Sequence, residues 1–82
     1  MSQLFIHTEE TEHSGDLHMY ARAIRTFPGT TVTGMRYGLR GEYETGLITV
    51  ETSLTPAELR NALDRNDDTE GFCTVHSRDD WR

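Results

Sequence analysis

The chain has 82 residues, 34% of them hydrophobic, with 14 acidic against 8 basic side chains and a formal charge of −6. That length makes one domain with a thin core, since a chain of this size buries only a little over roughly 60% of its unfolded surface, and pairing with a second copy would help. The negative field repels phosphate backbones, which argues against direct binding to DNA or RNA and favours a protein partner with a basic surface.

Cys73 is the single cysteine, so no intramolecular disulfide forms. Lying within Gly71-Phe72-Cys73-Thr74-Val75, it reads as a small buried residue rather than a nucleophile. No apolar run is long enough to span a bilayer and no signal segment opens the chain. The expectation is a cytoplasmic protein without a membrane partner.

In chain order, Gln3 to Thr8 alternates Leu4 and Ile6 with Phe5 and His7, a strand with both faces partly apolar. Glu9 to Ser14 is a polar, acidic loop. A helix is predicted from Ser14 or Gly15, with Ser14 as N-cap and Asp16 in the first turn. Leu17, Tyr20, Ala21 and Ile24 form its apolar stripe at i, i+3, i+4 and i+7. Phe27-Pro28-Gly29 stops it, because the residue before proline is pushed out of the α region.

Thr30 to Thr52 carries the strongest local signal: two runs rich in Val, Ile, Tyr and Thr that meet at Leu39-Arg40-Gly41-Glu42, a β-hairpin. In the first arm Thr33, Met35, Tyr37 and Leu39 are expected on one face and Val32, Gly34, Arg36 and Gly38 on the other. The alternation falters at Gly34 and Gly46. An isolated strand glycine marks a bulge or a close backbone approach, and the pattern leaves open which glycine carries the bulge.

Thr55-Pro56-Ala57-Glu58 is a capping box with proline at the first helical position. Leu54 and Leu59 are spaced as a hydrophobic staple, Leu59, Ala62 and Leu63 make the buried stripe, and Asn66 is the expected left-handed terminator. The acidic loop Asn66 to Glu70 follows, then a strand from Gly71 to Ser77 and a charged tail containing Trp81.

This order, β-α-β-β-α-β, predicts an α+β domain over residues 1–82. With right-handed crossovers it is a ferredoxin-like plait: a four-stranded antiparallel sheet, both helices on one face, the first strand between the third and fourth. Fold alone assigns no function. On the open face the alternation places Phe5, His7, Phe72 and His76, with Tyr37 or Tyr43 as additions from the hairpin. An uncovered apolar patch of this kind marks an interaction site, and face-to-face homodimerisation is one expectation.

RNA-recognition domains stack bases on such a face, but Glu42-Tyr43-Glu44-Thr45-Gly46 lacks their Lys/Arg-Gly-aromatic signature. Acylphosphatases of this topology need a glycine-rich anion loop with an arginine after the first strand, where this chain has Glu9-Glu10-Thr11-Glu12. His7 and His76 approach each other on neighbouring strands, yet two histidines alone do not make a metal site. No phosphate loop or nucleophile–base spacing is present, so the expectation is no cofactor, no metal and no catalytic residue.

The acids Glu9, Glu10 and Glu12 and the acids Asp67, Asp68 and Glu70 occupy two loops. Antiparallel first and fourth strands would bring these loops together as one acidic edge, suited to mimic phosphate or to dock on a basic surface. The sequence therefore reads as a small acidic protein–protein interaction module, of the kind a phage or mobile element encodes to inhibit a nucleic-acid-handling host protein. The alternative is a small-molecule-binding or enzymatic dimer of the same topology with a pocket lined by His7, Tyr20 and His76.

Overall fold

A computed structural model describes residues 1–8, 14–40, 43–71 and 73–78. The elements are β1 (Ser2–Thr8), α1 (Ser14–Ile24), β2 (Thr30–Arg40), β3 (Tyr43–Thr52), α2 (Pro56–Asp64) and β4 (Cys73–His76). The four strands make one sheet in the order β2-β3-β1-β4, and each neighbouring pair is antiparallel. The class is α+β. No described helix is long and apolar enough to cross a membrane.

Alternation in β1 decides which face is covered. Leu4 pairs with Val50, and Ile6 stands between Ile48 and Val75. All five pack in one buried cluster with Leu17, Tyr20, Ala21 and Ile24 of α1 and Leu59 and Leu63 of α2. Both apolar helical stripes therefore cover the same face of the sheet. Phe27, Val32, Leu54 and Cys73 close the margin of this core.

Local chemistry sets the helix ends. After Ile24, α1 tightens: Thr26 N–H donates to the Ala23 carbonyl at 3.1 Å, Phe27 N–H to Ile24 at 3.0 Å, and the Thr26 hydroxyl to Ala23 at 2.6 Å. The turn then passes through Gly29 at φ 63, a left-handed conformation that glycine adopts without steric cost. The predicted capping box of α2 is present, with Glu58 N–H donating to Thr55 Oγ1 at 3.1 Å and Thr55 N–H donating to Glu58 Oε1 at 3.0 Å. The Thr55 backbone bond to the carboxylate, and after it a bond from the Thr55 side chain, hold the Glu58 pKa below the usual range.

The two hairpin glycines differ in role. The register of β2 against β3 slips between Val32 and Gly34, leaving Thr33 as the extra residue of a bulge. Val32 thereby moves opposite Val50 and joins the core, on the same face as Met35 opposite Ile48. That corrects the expected grouping of Val32 with Arg36. Gly46 stays in regular register opposite Thr8 and Tyr37. A methyl group there would come within 2.6 Å of Leu17 Cδ1 and 2.7 Å of Thr8 Oγ1, so Gly46 is the close approach of sheet to helix. One glycine borders the bulge and the other makes room.

Candidate interaction surface

The face opposite the helices begins with Phe5 and His7. Phe5 lies between Thr49 and His76, and His7 between Leu47 and Thr74. The His7 and His76 rings meet on the diagonal, with centroids 3.9 Å apart and planes tilted by 31°. Diagonal neighbours across an antiparallel pair are within reach of large rings. His76 is also held by a 2.9 Å hydrogen bond between its Nε2 and Thr74 Oγ1. The expected meeting of the two histidines is present.

This face is less open than its lack of helices suggests. Leu47 is 3% exposed and His7 is 7% exposed, while Phe5 and His76 are half-buried. Thr45 Oγ1 is also buried, with no hydrogen-bond partner among the described residues. The burial of Leu47 was not anticipated from the sequence. The signal was the continuous run Leu47 to Val50, which fills both faces of β3 where a strand with one wet face alternates. Tyr37 does not join this surface: opposite Gly46, it stands on the helix side of the sheet. Phe72 and the side chain of Tyr43 lie outside the described residues.

Tyr20 is 4% exposed and belongs to the core cluster on the helix side. The sheet separates it from the His7–His76 pair. The predicted pocket shared by these three residues is therefore not assembled. Trp81 lies outside the described residues.

The second feature is the acid-bearing end of the sheet. Thr8, the last residue of β1, is the register partner of Cys73, the first of β4. The chain thus leaves β1 toward Glu9, Glu10 and Glu12, and enters β4 from Asp67, Asp68 and Glu70, at the same end and on adjacent strands. Glu9, Glu10 and Glu12 themselves lie outside the described residues. Asp67, Asp68 and Glu70 are all exposed.

Asn66, expected only as a helix terminator, and Thr69, not singled out from the sequence, hold the second loop. Asn66 Oδ1 accepts the Asp68 N–H at 2.9 Å, and the Asn66 carbonyl accepts the Thr69 and Glu70 amides at 3.1 and 2.9 Å. Asn66 thus works through its side chain and carbonyl, after a C-cap at Arg65 with right-handed φ −91. Thr69 turns inward and its hydroxyl donates at 2.7 Å to the Leu63 carbonyl, which also accepts the Asn66 N–H at 3.3 Å at the end of α2. With Asn66 and Thr69 anchored to the protein, the acids around them face solvent.

Cys73 packs against the core margin, and burial pushes its thiol up to about 12. A thiol so rarely ionised at neutral pH is a poor nucleophile. Among the described residues no group of three or more His, Cys, Asp or Glu side chains is placed to hold a metal ion. No protein-family model matches the chain, and no curated protein matches it in sequence, so the surface is read from its own chemistry.

Proposed function

We propose that the chain is a small acidic protein–protein interaction module, built as a ferredoxin-like split βαβ plait, that docks on a basic protein surface through the acid-bearing end of its sheet. Support for the plait comes from β1 standing between β3 and β4 in an all-antiparallel sheet, with both helices sharing one core face.

The observation that carries the functional reading is the Thr8–Cys73 pairing. It sets the first β-α connection beside the last α-β connection. The β2–β3 turn belongs to this end too, because Thr8 pairs with Gly46 and the hairpin continues beyond it to Arg40 and Tyr43. Segments 9–16, 41–44 and 66–70 contain four, two and three acids, nine of the chain's 14, and no arginine or lysine. Convergent carboxylates raise the association rate with a basic surface and repel acidic competitors. The partner class that fits is a nucleic-acid-handling protein whose phosphate-binding groove the acidic end would occupy, making the chain an inhibitor.

The test is charge reversal on the described loop. The triple variant Asp67→Lys, Asp68→Lys, Glu70→Lys leaves the Asn66 and Thr69 anchors intact and should keep the parent's thermal transition. Affinity capture from the source cell, with the bound proteins identified by mass spectrometry, should lose its basic partner with the variant. Retention of the same partner at the same salt concentration refutes the proposal.

A further inference from the structure

We infer that two copies of this chain pair edge to edge through β2, antiparallel about a two-fold axis at Tyr37, extending the four-stranded sheet to eight strands. This stands independently of the reading of the acidic end.

β2 is the outermost strand on its side and runs for 11 residues. The opposite edge, β4, has only four. Proteins commonly protect a long edge with proline, lysine, inward-pointing charge or a bulge. The β2 sequence Thr30–Arg40 contains neither proline nor lysine, its only charged residues are Arg36 and Arg40, and its bulge at Thr33 protects only the first third. From Gly34 to Arg40 the strand keeps unbroken register with β3. On this stretch Met35 and Tyr37 are 39% and 38% exposed on the helix side, large apolar side chains at the rim of the core. A regular edge flanked by such residues suits strand addition.

The sequence of this edge selects a second copy as the occupant. With Tyr37 opposite Tyr37 of the second copy, residue 35 meets residue 39, residue 36 meets 38, and residue 34 meets 40. In this register position 35 stands opposite position 39, Tyr37 opposite Tyr37, and positions 36 and 40 opposite glycines of the second copy. Moving the axis by one residue fails in either direction. An axis at Arg36 sets that arginine against itself, and one at Gly38 sets Arg36 against Arg40. Like charges directly opposite are destabilising, whereas aromatic pairs stabilise. The antiparallel arrangement also sends the two acid-bearing ends in opposite directions, which keeps the larger negative charges of the copies apart.

The test uses the axis itself. Residues paired directly across antiparallel strands have Cα atoms about 4.5 or 5.5 Å apart, inside the range a disulfide spans. In a Cys73→Ala background, Tyr37→Cys should form a covalent dimer under mild oxidation, and Thr49→Cys on the opposite face should stay monomeric. Crosslinking at 49 but not 37 would replace the edge pairing with a face-to-face dimer, and wild-type protein that sediments as a monomer at millimolar concentration would overturn the proposal outright. The register has its own check. Gly38→Arg opposes Arg36 of the second copy and should weaken the dimer about fivefold, while Gly38→Asp should strengthen it about fivefold. Net charge alone demands the reverse order for these two variants, so that reverse order, or no change, would remove the Tyr37 axis.

Discussion

The two faces of this sheet come from the same four strands, yet they are packed with different chemistry. On the covered face Leu4, Ile6, Ile48, Val50 and Val75 meet two helices in a largely apolar core, with Thr8 and the Tyr20 ring buried beside them. On the other face the same alternation gives Phe5, His7, Leu47, Thr49 and His76. There, burial reaches Leu47 and His7 without any of the described helices above them. Hydrophobic burial thus holds one face, and ring stacking with a threonine hydrogen bond orders the other. An apolar surface stabilises without direction, whereas imidazoles and hydroxyls fix geometry. Both faces therefore bury side chains, and only the covered one does so against the two described helices.

The sharpest way to break this contrast is to truncate matched positions. Ile6→Ala empties a fully buried site and should cost about 2–5 kcal/mol in urea unfolding. Phe5→Ala, half-buried next door, should cost less despite the larger side chain removed. A greater loss at Phe5 would invert the assignment of faces.

Glycine variants probe the sheet–helix contact. Gly46→Ala forces a methyl against Leu17 and Thr8 and should destabilise by about 1–3 kcal/mol. Gly34→Ala places its methyl 3.8 Å from Thr49 Cβ, an ordinary contact, and should stay within about 0.5 kcal/mol of the parent. Equal costs at the two positions would mean that the close approach at Gly46 is not what requires glycine there.

The capping box should come next in size. Thr55→Ala removes the acceptor for Glu58 N–H and should cost about 1 kcal/mol. Its pH dependence has a definite sign. The folded-state pKa of Glu58 is lowered, so its contribution is present above the ordinary carboxylate pKa and is lost as pH falls through the folded value. In acid titrations of stability, the gap between parent and Thr55→Ala should therefore narrow toward low pH. A gap that widens would contradict the reciprocal bond.

The smallest perturbation leaves the fold untouched. With its thiol pushed from 9.0 up to about 12, Cys73 should alkylate at pH 8 roughly a thousandfold more slowly in the folded protein than in urea. Equal rates would place Cys73 off the core margin.

Much of this contrast was legible in the sequence, for local reasons. The α2 boundary was readable because a capping box is closed by residues three apart, and the stripe of α1 because Leu17, Tyr20, Ala21 and Ile24 follow the helical period. The neighbourhood of the acid-bearing connections followed from strand direction alone. What could not be read depended on pairing at a distance. The bulge at Thr33 lets β2 bring Val32 against the core opposite Val50 while Met35, opposite Ile48, keeps to the same face, a demand that neither glycine announces. Tyr37 went to the helix side for the same reason. Nor did any local pattern show Thr69 reaching back to the Leu63 carbonyl to fix the acidic loop.

The opposite end of the sheet has a character of its own. There Thr52 pairs with Ser2 and with Thr30, its hydroxyl lies 2.7 Å from the Thr30 hydroxyl and accepts the Leu54 N–H at 3.0 Å, and Ser53 N–H donates to the Gly29 carbonyl. A polar clasp therefore locks the exit of α1 to the approach of α2, at the end of the sheet away from Asp67, Asp68 and Glu70. The exposed Met1 adjoins it. A fluorophore or a sensor-chip tether attached at residue 1 would sit at the stiff pole of the molecule and present the charged pole outward, unobstructed, to whatever is passed over it.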